Sequence, residues 1–330
     1  MSKNCAGFLR IATLVSVCGV LTAAPGEAFS QNYPARPVRL IVPFTPGGGT
    51  DLAARTLTPR LSEGLGQQVV VDNRPGAGGA LGAELAAKAP PDGYTIWIGQ
   101  TANLAIGPAL RKQALYDPVR DFAPITMLQK SPSAIVVAAG SPIKSVNDLI
   151  AMAKKNPQGI TYGSAGVGTA GHINGYLINV AAGIDMTHVP YKGASPAMLD
   201  LQAGRITLMA TSIGSSAGMI KQGKIRAIGT TGAKRARLLP DVPTLAEQGL
   251  KGFDVSTWLA MLAPAKTPAP IVARLNKEFV RILRLPDVQE KLMSEGGEVT
   301  PTSPEDAAAF IRSEVEKWGK ALKGANIPVE

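Results

Sequence analysis

A chain of 330 residues is longer than one average domain, so its length alone predicts two domains. Its hydrophobic fraction of 45% and charged fraction of 18% exclude an intrinsically disordered protein, because such chains are too polar to offset the conformational entropy of folding. Glycine (36) and proline (26) follow no three-residue repeat, which excludes collagen, and two cysteines are too few for a disulfide framework. The formal net charge of +10 favours small anions as partners.

The first 30 residues have the order of a secretory signal peptide. Lys3 and Arg10 flank a polar start, residues 11–24 are apolar, and small residues follow at Ala28 and Ser30. This order predicts a cleavable signal peptide over the first 30 residues and export from the cytoplasm.

Two other interpretations of this segment are weaker. An N-terminal membrane anchor would need about 18 or more consecutive apolar residues, and this stretch is shorter. A lipoprotein would be cleaved before Cys18, but Val17 is bulkier than the residue expected before such a site. Because Cys5 and Cys18 both lie inside the segment, the mature chain is predicted to contain no cysteine.

Short apolar runs typical of buried strands recur along the rest of the chain and alternate with amphipathic segments. This alternation predicts an α/β fold with parallel sheets covered by helices on both faces. The predicted strands are 38–43, 69–72, 95–99, 134–139, 160–163, 207–211 and 226–230.

Helices are predicted from periodicity and from capping residues. Residues 170–182 place apolar side chains on one helix face, and Ser303 followed by a proline is typical of a helix start. Similar starts are predicted at Ser195 and at Thr244. Pro59 within the first helical pattern predicts a kink or an early stop.

The chain is predicted to leave one α/β domain and later return to it. The first crossing strand is expected near residues 131–139, and the return near 253–261, ahead of a proline-rich stretch. The first lobe would then contain residues 31–132 and 254–330, and the second residues 133–253. In such proteins the ligand is expected between the lobes, at the carboxyl ends of strands.

Three glycine-rich turns each follow a predicted strand and precede a helix, at residues 46–51, 75–79 and 163–169. Glycine lets backbone N–H groups crowd inward, and a helix start adds partial positive charge, so such turns can hold an anion. Any one of them could equally be a plain tight turn between strand and helix. Three together, two of them with threonine or serine beside the glycines, favour an anion-binding site.

One of these turns also has the spacing of a dinucleotide-binding motif, at Gly166, Gly168 and Gly171. The acidic residue that should close the next strand is missing, because the nearest candidate, Asp185, precedes that strand. No phosphate-binding loop of the G-x-x-x-x-G-K type occurs either. The sequence therefore predicts no cofactor.

Ser216 lies in a G-x-S-x-G pattern, which leaves an exported α/β hydrolase as the alternative function. Both histidines, His172 and His188, precede this serine, whereas α/β hydrolases have the order serine, acid, histidine. Two histidines and no mature cysteine also make a transition-metal site improbable. Scattered basic residues without interleaved aromatic residues argue against nucleic acid as a partner. His172 itself is either a polar residue of its helix or a donor to the site.

Several short motifs along the chain are, in combination, specific for one protein family. They lie at residues 33–44 with 46–51, 71–79, 91–95, 116–118, 163–169 with His172, 189–193, and 239–244. Together they resemble the Bug family, the extracytoplasmic solute receptors of tripartite tricarboxylate transporters. The resemblance extends from residue 33 to the end of the chain.

This resemblance implies a periplasmic binding protein of the Venus flytrap type, with two parallel-sheet-rich lobes joined by two hinge strands. Such a protein captures a small carboxylate or related polar solute for uptake or sensing and catalyses no reaction. The implied partners are that small organic anion and membrane transporter subunits, and the receptor itself is expected to be a monomer without cofactor or metal.

The resemblance places the solute between two turns, one in each lobe. Thr211 stands where members of the family often have aspartate, so the cleft is expected to lack a carboxylate for an ammonium group. Carried over residue by residue, the predicted ligand-binding residues are Phe44, Gly48, Gly49, Thr50, Asp51, Gln100, Thr101, Ser164, Gly166, Gly168, Thr169, His172, Tyr191 and Thr211.

Overall fold

The computed structural model describes residues 33–47, 49–111, 113, 115–191, 194–294 and 296–323. The chain divides into two compact units, Met1–Tyr33 and Pro34–Glu330, and the architecture below is that of the second. The predicted signal peptide lies outside the described residues and stays a prediction. Within the described ranges, no helix is both long enough and apolar enough to cross a membrane.

The described residues form ten strands, and all seven predicted strands are among them. The fourth begins well before its predicted start, and the sixth and tenth have no counterpart in the sequence prediction. The strands are β1 (Val38–Val42), β2 (Val69–Asn73), β3 (Thr95–Gln100), β4 (Phe122–Ala138), β5 (Thr161–Ser164), β6 (Thr187–Pro190), β7 (Leu208–Ser212), β8 (Ile225–Thr230), β9 (Ser256–Pro264) and β10 (Glu298–Val299).

Helices connect these strands and cover the sheets. A short 3₁₀ turn at Ala77–Gly79 and a π-helical segment at Ala102–Ile106 precede two of them. The α-helices are α1 (Gly49–Leu65), α2 (Ala80–Ala87), α3 (Gly107–Leu110), α4 (Val146–Lys155), α5 (Ala170–Ala182), α6 (Ala194–Gln202), α7 (Ile213–Lys221), α8 (Ala269–Leu283), α9 (Pro286–Ser294) and α10 (Pro304–Ala321).

Most of the predicted helix starts are confirmed. Helix α5 has the predicted bounds, α6 begins one residue early, and Ser303 caps α10 by accepting from the Asp306 N–H at 3.0 Å. Thr244 and Glu247 make both hydrogen bonds of a capping box, but the residues after them form only a turn. The early stop at Pro59 is wrong, because α1 continues for six residues beyond it.

Two sheets share strand β4. The first has the order β2–β1–β3–β9–β4, with β10 on the other edge of β4; the second has the order β6–β5–β7–β4–β8. Strands β2, β1 and β3 run parallel, as do β6, β5 and β7, whereas β4, β8, β9 and β10 pair antiparallel. The sheets are therefore mixed rather than parallel throughout, because the strands that cross and return run against their neighbours.

The crossing between the lobes is made by β4 and by the segment that enters β9. Residues 122–132 of β4 pair with β9, while residues 133–138 pair with β7 and β8. Thr231 joins the two crossings: its N–H donates to the Ser133 carbonyl at 3.0 Å, and its hydroxyl donates to the Val255 carbonyl at 2.6 Å. Thr231 is completely buried and joins the two strands at the point where β4 passes from the first sheet into the second.

The second sheet is covered on both faces, as predicted. Along β4, Ala134 and Val136 belong to one apolar cluster, with residues of α6 and the start of α7. Ile135 and Val137, which point the other way, belong to a different cluster with residues of α4 and α5. The two-residue period of a strand thus supplies a core on each side.

Candidate functional site

A cavity of about 770 Å³ lies between the two lobes. It is lined by the β1–α1 turn and the end of β3, by the hinge strands β4 and β9, and by the β5–α5 turn, the start of α6 and the β7–α7 turn. Its volume is in the range of small-molecule sites. The carboxyl ends of β1, β3, β5 and β7 meet here, which is where α/β proteins bind their ligands.

The first wall is the turn that leads from β1 into α1. Phe44, Gly49 and Thr50 line the cavity, together with Gln100 at the end of β3. The Gln100 amide donates to the Thr50 hydroxyl at 3.4 Å, so the two polar groups lie side by side on this wall. Gly48, predicted in the same turn, lies outside the described residues.

Asp51 holds this turn in place from behind and is only 1% exposed. One carboxylate oxygen accepts from the Gly47 N–H and from Arg55 Nε, both at 2.9 Å, and the other accepts from Asn73 Nδ2 at 2.9 Å. Burial would raise the pKa of Asp51, but the hydrogen bonds from Arg55, Gly47 and Asn73 outweigh it and hold the pKa below its ordinary value. Its negative charge is therefore already satisfied inside the first lobe.

The second wall is the turn Ser164–Thr169, called the binding turn below. Ala165 and Thr169 line the cavity, and the Thr169 hydroxyl donates to the Gly166 carbonyl at 2.7 Å. Gly166 has a φ of +134°, which only glycine adopts without strain. Ser164 is fully buried, and its hydroxyl accepts from the Gly166 N–H at 3.1 Å. The turn is thus fixed by its own side chains as well as by its glycines.

Three more of the predicted residues support the walls from outside the cavity. His172 is 5% exposed and accepts from the Gly168 N–H at 3.0 Å through Nδ1. The Tyr191 hydroxyl donates to Asp200 at 2.8 Å. Thr101 is buried, and its hydroxyl accepts from the backbone N–H of β9 at 2.9 Å.

The structure therefore divides the predicted residues into two groups. Those that line the cavity are Phe44, Gly49, Thr50, Gln100, Thr169 and Thr211. Those that are not among its lining residues are Asp51, Thr101, Ser164, Gly166, Gly168, His172 and Tyr191.

Sequence reasoning missed the floor of the cavity, which is formed by the hinge strands. Gln129, Ser131 and Ser133 of β4 line it, beside Thr257 and Leu259 of β9. Polar residues at every second position are typical of a strand with one polar face, but Lys130 and Pro132 lie between them and hide the pattern. Among the described residues, the Gln129 side-chain oxygen is buried without a hydrogen-bond partner, which leaves it as a spare acceptor at the floor.

No charged side chain is among the described residues that line the cavity. Hydroxyl groups, amide groups and the backbone supply its polar atoms, and Thr211 lies next to Ser215, with 3.3 Å between their hydroxyl oxygens. An anion bound here would be held by neutral donors, as in other glycine-rich turns at helix starts. A bound cation would find no carboxylate among these residues.

The hydrolase alternative is not supported. Ser216 lies inside α7 instead of on a turn between a strand and a helix, and it is fully buried. Its hydroxyl donates to the Ser212 carbonyl at 2.9 Å, so it is not presented to the cavity. Among the described residues, no group of three or more histidine, cysteine, aspartate or glutamate side chains could hold a metal ion.

A family model described as tripartite tricarboxylate transporter family receptor matches residues 53–327. Protein BugT of Bordetella pertussis is 33% identical over 319 residues, which cover 96% of this chain and 98% of BugT. A solved R. palustris protein with adipate is 37% identical, with a TM-score of 0.81, and covers 89% of this chain and 99% of its own. MatC from Rhodopseudomonas palustris with bound malate is 32% identical, with a TM-score of 0.78 and coverage of 88% and 100%. These similarities confirm the two-lobed α/β fold of periplasmic binding proteins.

Proposed function

Because this chain belongs to the tripartite tricarboxylate transporter receptor family, we propose that it is a periplasmic receptor that closes on a small carboxylate and releases it unchanged. Its membership also confirms the resemblance found in the sequence. The observation that carries the proposal is the cavity between the lobes, whose described lining offers hydroxyl, amide and backbone groups from both lobes but no charged side chain. The relatives solved with adipate and malate support a carboxylate as the ligand class.

Binding is expected to proceed by closure of the lobes around the hinge. Each wall ends in a glycine turn at the start of a helix, so backbone N–H groups and hydroxyls can surround a carboxylate from both sides. Closure removes water from the cavity and strengthens these hydrogen bonds, because the local dielectric falls. The floor residues of β4 and β9 remain in contact with the ligand throughout, since they lie at the hinge itself.

Several finer features belong to the same proposal. The first 30 residues direct export and are removed, the first lobe contains residues 31–132 and 254–330, and the second contains residues 133–253. The receptor acts as a monomer that presents its closed form to membrane transporter subunits. It has no catalytic role, which the receptor function of its relatives supports.

The test uses the full chain expressed with its N-terminal segment and purified from the periplasm, where its mass reports the cleavage site. Isothermal calorimetry with malate, succinate and adipate is expected to show binding of at least one. A ligand at 100 times its Kd raises the free energy of unfolding by about 2.7 kcal/mol, which a thermal melt detects. Binding of none of the three would contradict the ligand class, and turnover of simple esters would contradict a purely receptor role.

Two threonines test whether both lobes contact the ligand. Thr50→Val and Thr211→Val each remove one hydroxyl from opposite walls, and we expect each to weaken binding by about 5- to 30-fold, the effect of about 1–2 kcal/mol. Thr187→Val, at an exposed position of β6 away from the cavity, is the matched control. Equal affinity of the wild type and both wall variants would remove these hydroxyls from the site.

A further inference from the structure

The two histidines of the chain stack on each other beneath the binding turn. His172 of α5 and His188 of β6 have ring centroids 3.8 Å apart and planes only 6° from parallel. Tyr162 of β5 packs against His188 at 4.9 Å. His172 is nearly fully buried and His188 half-buried, so the pair is largely shielded from water.

Each histidine is hydrogen-bonded to a different end of the binding turn. The Ser164 hydroxyl and His188 Nε2 are 2.7 Å apart, and the Gly168 N–H donates to His172 Nδ1 at 3.0 Å. A backbone N–H can only donate, so His172 Nδ1 must carry a lone pair and the ring must be neutral. The stacked pair therefore connects both ends of the turn whose Ala165 and Thr169 line the cavity.

The surroundings of the pair disfavour a positive charge. Burial lowers the pKa of His172, and burial together with the neighbouring His172 lowers the pKa of His188 to about 4. Tyr162 is the titratable group that faces the rings from β5, and the nearby Asp185 acts on that phenol.

On the α6 side, Asp200 is paired with Arg205 and with the Tyr191 hydroxyl. Among the described contacts, neither ring is paired with a carboxylate. A proton on His172 Nδ1 would also place an N–H directly against the Gly168 N–H.

We propose that His172 and His188 are positioning residues that keep the binding turn in its ligand-binding shape only while His172 is neutral, so that a proton taken up by His172 releases the turn and weakens ligand binding. This inference rests on the proposed function, because that function gives the turn its role. In this role His172 supports the binding turn and does not contact the ligand.

The first test needs no ligand. Because the chain contains two histidines, imidazole resonances in a ¹H–¹⁵N NMR titration report the tautomer and the pKa of each ring. We expect His172 to carry its proton on Nε2, both rings to titrate below the ordinary pKa of about 6.5, and the Gly168 amide signal to shift at the same pH. A proton on His172 Nδ1, an ordinary pKa, or a Gly168 signal that ignores the titration would overturn the inference.

The second test measures malate affinity by calorimetry between pH 7.5 and the pH at which the pair titrates. If only the neutral form binds, affinity falls about twofold where the pH equals the apparent pKa and about tenfold per unit below it. His172→Asn supplies an acceptor that does not titrate, so we expect near-normal affinity at pH 7.5 and a smaller loss in acid. His172→Phe keeps a stacked ring but no acceptor, and we expect weaker binding at every pH.

Two comparisons separate protonation of the histidines from ionisation of the ligand and from failure of the proposed function. Ionisation of malate affects the wild type and His172→Asn alike. Only the difference between their affinities at each pH therefore reports protonation of the histidine pair. Identical pH profiles for the two proteins would overturn the inference. If malate, succinate and adipate all fail to bind at pH 7.5, the proposed function fails, while the NMR titration still decides whether the pair holds the turn.

Discussion

Gly171, in the first turn of α5, approaches the end of β7 so closely that any larger residue must displace its surroundings. A Cβ placed on it would lie 2.9 Å from the carbonyl oxygen of Ala210 and 3.3 Å from the Ser164 Cβ. Neither atom belongs to a long side chain that can swing away. Gly171→Ala is therefore expected to push the start of α5 away from β5 and β7, and to move both the binding turn and Ala210, which lines the cavity.

The magnitude follows from two opposing effects. Alanine favours a helix over glycine by up to about 1 kcal/mol, whereas forcing an extra carbon into a packed interior costs about 1–3 kcal/mol. We expect the free energy of unfolding to fall by about 1–2 kcal/mol. Because the displaced atoms shape the second wall, carboxylate affinity should also fall by about tenfold, equivalent to about 1.4 kcal/mol.

Gly218→Ala is the matched control, since Gly218 also lies in a helix but is exposed, and no atom of the described residues lies within 4 Å of the added carbon. It should raise the free energy of unfolding by about 0.5–1 kcal/mol and leave binding unchanged. Urea denaturation followed by circular dichroism measures both variants under identical conditions. A Gly171→Ala protein as stable as Gly218→Ala, with normal affinity, would refute the close approach described here.

Three other changes probe the charge and the turns of the site. Asp51→Asn should lower the free energy of unfolding by about 1–3 kcal/mol, since three donors lose a carboxylate. Because the folded pKa of Asp51 is lowered, its contribution is present above its ordinary pKa and is lost in more acidic solution, so the difference in stability between wild type and variant should shrink as the pH falls below that ordinary value. Succinate should bind more tightly than aspartate, because Thr211 offers no charge to an ammonium group; tighter aspartate binding in calorimetry would indicate an acceptor not recognised here. Gly166→Val should abolish binding, since a branched side chain is strained at a φ of +134°, and a folded variant with normal affinity would exclude this turn from the site.

The sequence predicts the fold well wherever a strand is uniformly apolar. Strands β1 and β3 are recognisable because nearly every residue in them is buried, which leaves little room for polar residues. Strand β6 was missed because it is short and lies at the edge of its sheet, where exposed residues interrupt the apolar run. The first half of β4 was missed because it contains Pro124 and Pro132, which argue against a strand interior.

The site was predictable in its walls but not in its floor. Glycine turns between strands and helices can be recognised locally, so Thr50 and Thr169 could be located without a structure. The role of Gln129 depends on which face of a long strand meets the other lobe, and that is set by contacts distant in sequence. The same limit applies to His172: its helix was predicted, but its stacking on His188 depends on how β5, β6 and α5 pack.

Strand β9 also determines the order in which the molecule can assemble. It lies between β3 and β4, although the whole second lobe separates it from them along the chain. The sheet of the second lobe is complete once β8 has formed, whereas the facing edges of β3 and β4 stay unpaired until β9 inserts. Pairing across so long a separation carries a large loop-closure cost and is slow. The second lobe can therefore fold first, and the cleft comes into existence only when the last quarter of the chain returns to the first lobe.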